Sequence, residues 1–240
     1  MEIFAHRGAS GNFPENTIAA FKEAARLPVF GVEFDVHMTA DGELVVIHDE
    51  SIDRTSDGKG YVKDMSLSEL KKHDFGSWFS SDFQGEKIPT LAEVLDVFES
   101  TEHKLNIELK SDIFPYEGMV EKALDFIAER RLEARVILSS FDHSAIQIVK
   151  RLNPHLETAA LFMEVLVHPL DYIRNIPADA LHILFPAALR PTLAEVINSG
   201  MPVRTFTVND ETHAKMLKQA GVQAIFTDHP AKMHVFLHSI

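Results

Sequence analysis

Three carboxylates, two histidines and two cations stand in or at the ends of runs that read as strands. In "GVEFDV", residues 31–36, an extended chain puts Val32, Phe34 and Val36 on one face. Glu33 and Asp35 fall on the other, roughly 6.5–7 Å apart. "KLNIELK", residues 104–110, repeats the pattern, with Leu105, Ile107 and Leu109 alternating against Asn106, Glu108 and Lys110. Like charges in a confined site are unfavourable unless a proton or a cation lies between them. In a chain without cysteine, Glu33, Asp35 and Glu108 favour one hard divalent cation with oxygen ligands, Mg²⁺ or Ca²⁺, over zinc. A sheet edge with one wet face would show the same alternation. Two such strands with their apolar faces in phase make that plainer reading the weaker one.

His6 closes "EIFAH" and His48 closes "LVVIH". Histidine is the usual proton carrier near neutral pH, but this chain has 13 of them, so residue type alone selects none. Position at a strand end selects these two, because catalytic groups collect there in a parallel barrel. Arg7 brings a guanidinium able to clamp two phosphate oxygens, on a turn where Gly8 lets the backbone come close. Lys110 adds a second positive charge. The set suits displacement at a phosphodiester: a cation neutralises developing charge, one histidine takes a proton from the nucleophile, and the other gives one to the leaving alcohol. No Walker A loop and no G-x-S-x-G supports a rival chemistry.

The elements that must carry these residues alternate along the whole chain. Strand candidates fall near residue 4 and at 31–38, 44–48, 104–109, 134–141, 156–162, 180–185, 203–208 and 222–227. Helical periodicity lies between them at 15–26, 90–100, 116–131, 142–152, 190–199 and 210–220, with Thr90 and Glu93 spaced as a capping box. Roughly eight βα repeats over 1–240 predict one domain of the α/β class, a TIM (β/α)₈ barrel. Residues 51–89, rich in Gly, Ser and Asp, break the rhythm. They read as an inserted loop with one short helix, "SLSELKKH": either a solvated loop or, since an insertion after a barrel strand sits over the active mouth, a lid.

A formal charge of −13 without a basic stripe argues against nucleic acid and against stable association with an anionic membrane. The absence of cysteine, of a signal-like N-terminus and of any long apolar run fits a cytoplasmic protein. A homo-oligomer is compatible with the sequence, which does not fix the oligomeric state.

Seven pieces, taken in order, resemble one family: "HRGASGNFPENTIAAF", "GVEFDVHMTADGELVVIHDESIDRTSDGKG", "IPTLAEVL", "LNIELK", "SSF", "FTVND" and "GVQAIFTDHP". They are similar to the glycerophosphodiester phosphodiesterases of the compact bacterial cytoplasmic type. The resemblance implies a TIM barrel with a small insertion after its second strand. It also implies hydrolysis of glycerophosphodiesters, such as glycerophosphocholine or glycerophosphoethanolamine, to sn-glycerol 3-phosphate and an alcohol. By matching motif, His6 and His48 would be the acid/base pair, Glu33, Asp35 and Glu108 the metal ligands, and Arg7 and Lys110 the phosphate contacts. A free glycerol hydroxyl would attack phosphorus first, giving a cyclic phosphate that water opens. Phe206 stands where the family commonly has Trp, and 154–190 matches only loosely. Glu15-Asn16-Thr17 matches the family's motif and has two readings, a part in shaping the site or, more plainly, the opening of the first helix. Two other readings share these residues: a cyclising phospholipase acting on lysophospholipids, which needs an apolar entry, and a phosphoester-binding protein without turnover.

Overall fold

A computed structural model describes residues 1–240. Its nine strands are β1 (Glu2–His6), β2 (Gly31–Met38), β3 (Leu44–Val46), β4 (Lys104–Leu109), β5 (Val136–Ser140), β6 (Glu157–Phe162), β7 (Ala180–Leu184), β8 (Val203–Phe206) and β9 (Ala224–Thr227). Eight of them pair in parallel around a ring, β1-β2-β4-β5-β6-β7-β8-β9, and β9 returns to β1 to close it. Helices follow the ring strands in sequence, as a (β/α)₈ barrel requires.

β3 is the exception, and it corrects one expectation. The run expected at 44–48 as a barrel strand ends at Val46 and pairs antiparallel with β2, through Val36↔Val46, His37↔Val45 and Met38↔Leu44. Residues 39–43 are too few for the crossover that a parallel neighbour needs, so the chain can only fold back as a hairpin. His48 therefore lies beyond a hairpin outside the ring and terminates no barrel strand.

The outward faces of the strands pack under the helices. Val32, Phe34, Val36, Leu105, Ile107 and Leu109 join one apolar cluster, and β6 to β9 supply most strand contacts to a second. Inside the ring, Phe4, Ile137, Ala159, Ala180, Ala224 and Phe226 form a smaller layer in which the alanines make room for the two rings. Beside it lie buried polar groups: Arg204 donates to His182 Nε2 at 3.1 Å and is also paired with Glu157. The inserted segment shares a separate small core with the β3 hairpin arm: Ile52, Val62, Leu70, Phe75 and Ile88 pack on Val45 and Ile47.

Local signals account for much of this. Thr90 and Ser66 each complete a capping box with the glutamate three residues on, opening the helices Leu91–Val97 and Leu67–Leu70. Gly221 ends the helix Glu211–Ala220 in the left-handed conformation. The helices Pro169–Asn175 and Pro230–His238 were not anticipated. Both begin on proline, which reads as a breaker in a chain but suits the first helical position, where its missing N–H has no partner to lose.

Candidate active site

Strand register assembles the site before any side chain turns. His6 on β1 is level with Glu33 on β2, and Asp35 on β2 is level with Glu108 on β4. All four point to the inner, C-terminal end of the ring. Glu33, Asp35 and Glu108 are buried, and each offers an oxygen lying within 4.8 Å of the others'.

Each carboxylate has one oxygen engaged by a protein donor. The Arg7 amide donates to Glu33 Oε2 at 3.0 Å, Asn16 Nδ2 to Asp35 Oδ2 at 2.9 Å, and Lys110 Nζ to Glu108 Oε1 at 3.0 Å. The second oxygen of each has no hydrogen bond within the protein. Burial, together with the charges of Asp35 and Glu108, pushes the Glu33 carboxyl well above its usual range. Burial also raises Glu108, with Lys110 opposing it. Burial would raise Asp35 too, but Arg7, His48 and Lys110 outweigh it and hold that carboxyl low. A cluster with one firmly ionised member, two members that resist ionisation and three unused oxygens fits a hard divalent cation.

The two histidines each present Nδ1 to an aspartate. His6 Nδ1 lies 2.6 Å from Asp228 Oδ1, and His48 Nδ1 lies 2.7 Å from Asp49 Oδ1. Each imidazole thus keeps Nε2 for the cavity; that of His6 is 3.9 Å from Glu33 Oε2. Asp228 is steadied by Asn209 Nδ2 at 2.6 Å and Ser10 Oγ at 3.0 Å. Asp49 is gripped by Arg54. The backbone of His48 is fixed as well: His37 Nε2 is 3.1 Å from its carbonyl oxygen, while His37 Nδ1 meets the Tyr116 hydroxyl at 3.0 Å.

Arg7 adopts the left-handed conformation, φ 55°, as does Asn16, φ 57°. Such backbones are strained by about 1–3 kcal/mol each, and here both aim donors at Asp35 and Glu33. The Arg7 guanidinium lies 3.4 Å from Asp35 and 2.8 Å from Glu15. Gly8, φ 82°, permits a close backbone approach, but to the first helix: a Cβ there would meet Ala20 at 2.8 Å. Arg7, Lys110, His6 and His48 all line a cavity of about 360 Å³, walled on its far side by Phe141, Leu161, Met163, His182 and Phe206. Phe206 packs edge-on to Phe141 with centroids 6.0 Å apart. Residues 51–89 line none of this cavity and reach its surroundings through Arg54 and the Tyr61–Phe114 contact.

The structure thus brings all seven expected residues together. The sequence reading missed Asp228, Asp49, Asn209, His37 and Arg54. His37 shares the face of Glu33 and Asp35 by simple alternation, and Asp228 directly follows the last residue of β9, at the same end of the barrel as His6, so both carried a signal. Glu15-Asn16-Thr17 divides: Thr17 caps the first helix, Ile18–Ala24, while Glu15 and Asn16 turn to Arg7 and Asp35.

A barrel with this mouth falls among the enzymes that cleave phosphoric diesters. The chain belongs to the glycerophosphoryl diester phosphodiesterase family, whose model matches residues 6–232. It is 42% identical over 228 residues to a glycerophosphodiester phosphodiesterase of Caldanaerobacter subterraneus subsp. tengcongensis, covering 95% of this chain and 94% of that one. It is 40% identical to one from Bacillus altitudinis, covering 95% of each. Among solved structures, an Oleispira antarctica phosphodiesterase in complex with the product sn-glycerol-3-phosphate superposes with a TM-score of 0.89 at 32% identity, covering 99% of this chain and 97% of that one. No helix is long and apolar enough to cross a membrane.

Proposed function

We propose that residues 1–240 act as one catalytic unit that hydrolyses glycerophosphodiesters, such as glycerophosphocholine and glycerophosphoethanolamine, to sn-glycerol 3-phosphate and an alcohol in the cytoplasm. The observation that carries this reading is the pair of aspartate-backed histidines facing one buried carboxylate cluster. The product bound by the Oleispira relative supports the glycerol phosphate half of the substrate.

Glu33, Asp35 and Glu108 would hold one divalent cation, Mg²⁺ or Ca²⁺. Such an ion supplies Lewis-acid neutralisation of charge at the phosphate oxygens. Arg7 and Lys110 contact the same oxygens. One imidazole Nε2 takes the proton of a free glycerol hydroxyl as its oxygen bonds to phosphorus. The other gives a proton to the departing alcohol as that P–O bond breaks, leaving a cyclic phosphate. With roles exchanged, the same pair activates water and reprotonates the ring oxygen. Asp228 and Asp49 keep each imidazole oriented throughout.

The test is ³¹P NMR of glycerophosphocholine hydrolysis. Wild type should release glycerol 3-phosphate, stop on chelation, and recover with Mg²⁺ or Ca²⁺. His6→Ala should lose about 10²–10⁴-fold in rate; full turnover by that variant sinks the assignment.

One observation favours a wider substrate range. Met163, 57% exposed, lines the cavity, and Val165 and Val167 follow it on the loop after β6, the last 73% exposed. An acyl chain leaving the glycerol could lie there, so lysophosphatidylcholine belongs beside glycerophosphocholine in the assay.

A further inference from the structure

Arg54 comes from the inserted segment and lies outside the cavity, yet its guanidinium donates four hydrogen bonds into the site's supports. Nε and Nη2 reach Asp49 Oδ2 and Oδ1 at 2.8 and 3.0 Å. Nη1 and Nη2 reach Glu15 Oε2 and Oε1 at 2.9 and 2.7 Å. The two oxygens shared by Nη2 are the ones already in use: Asp49 Oδ1 holds His48 Nδ1, and Glu15 Oε1 holds Arg7 Nη1 at 2.8 Å. A single nitrogen therefore joins the carboxylate that orients one histidine to the carboxylate that orients the arginine.

We propose that Arg54 is a positioning residue that keeps Arg7 and His48 in register across the mouth. The proposal rests on the phosphodiesterase reading given above. Without Arg54, Glu15 keeps only Arg7 as a partner, among the side-chain bonds it now makes, and draws its guanidinium away from substrate. Asp49, freed on two sides, lets the His48 ring turn. Glu15 is largely buried but keeps Arg7 as a partner, Asp49 is partly exposed, and the Arg54 side chain is 44% exposed, so its ion pairs add little to global stability. A planar fork holds both carboxylates at once, whereas an ammonium in its place can pair with only one of them in this geometry.

The experiment compares wild type, Arg54→Ala and Arg54→Lys with glycerophosphocholine, measuring kcat, KM and thermal midpoint. The same proteins are examined by ¹⁵N-histidine NMR. Arg54→Ala should lose about 10–100-fold in kcat, as removal of a partner behind a catalytic group does. Its midpoint should stay within a few degrees of wild type, Arg54→Lys should be intermediate, and added guanidinium should restore part of the Arg54→Ala loss. In the NMR spectra the His48 signals should move and those of His6 should not. An Arg54→Ala enzyme with wild-type kcat overturns the proposal, and so does a loss explained wholly by a smaller folded fraction. If wild type itself releases no glycerol 3-phosphate, the phosphodiesterase reading fails. The histidine spectra then decide on their own: a selective His48 change upholds the positioning role, and an unchanged spectrum rejects it.

Discussion

His6 and His48 present the same atoms to the same cavity from unlike supports. His6 ends a strand with ring neighbours on both sides, and its aspartate lies 222 residues away, brought next to it by ring closure. His48 follows a three-residue strand that ladders with β2 on one side and has a lone bridge, Val45 to Thr90, on the other. Its aspartate is the next residue, and its position depends on Arg54, His37 and the small core beneath the insertion. One imidazole is fixed by topology, the other by local packing and ion pairs. Where a mechanism needs two proton carriers, the fold guarantees one and leaves the second to an appended segment.

The contrast can be broken most forcefully at the two cores. Ile107→Ala, under the helices, should lower global stability by about 2–5 kcal/mol. Ile52→Ala, in the insertion's core, should lose a similar amount locally, with hydrogen-exchange protection falling over 44–89 while the barrel melts near its usual temperature. Equal loss of barrel protection in both variants would show the insertion to be part of one cooperative unit.

The aspartates give a smaller effect. Asp228→Asn and Asp49→Asn should each reduce kcat by about 10–100-fold, because an amide places a donor where imidazole N–H and other donors already point. If the two supports are independent, the double variant should show the product of the single losses. A double variant no slower than either single one would mean that the supports act as one.

A third histidine sharpens the comparison by carrying the opposite partner. His182 is fully buried with Arg204 beside it, and burial first, then that positive charge, holds its pKa well below 6.5. The unfolded chain takes up a proton near pH 6.5 that the folded protein refuses. Stability from this group is therefore complete above about pH 6.5 and declines as pH falls below it. The thermal midpoint of wild type should drop between pH 7 and 5 more than that of His182→Gln, which keeps an acceptor for Arg204. Parallel slopes would remove His182 from the account.

The legibility of the sequence follows the same division. Glu33, Asp35, Glu108 and Lys110 could be read because period-two alternation is local and strand register then does the rest. His48 was found for a wrong reason: "LVVIH" has strand composition, but only the length of 39–43 reveals a hairpin instead of a ring strand. The pairing of His6 with Asp228 is invisible to local reasoning, since it depends on β9 returning to β1. Arg54 was hidden in a stretch whose composition says loop, and its four bonds depend on where that loop comes to rest.

Ring closure also sets when this protein can begin to work. During synthesis β1 emerges first, with one edge of its backbone unpaired, and stays so until β9 has been made. The carboxylate that steadies His6 is residue 228 of 240, so a nascent chain with six or seven barrel strands already built still lacks the partner of His6. Activity should appear late and abruptly in a synchronised translation, with no partly competent precursor. Any truncation before β9 should leave both a His6 without its aspartate and an open strand edge, the kind of surface that chaperones bind and aggregates extend.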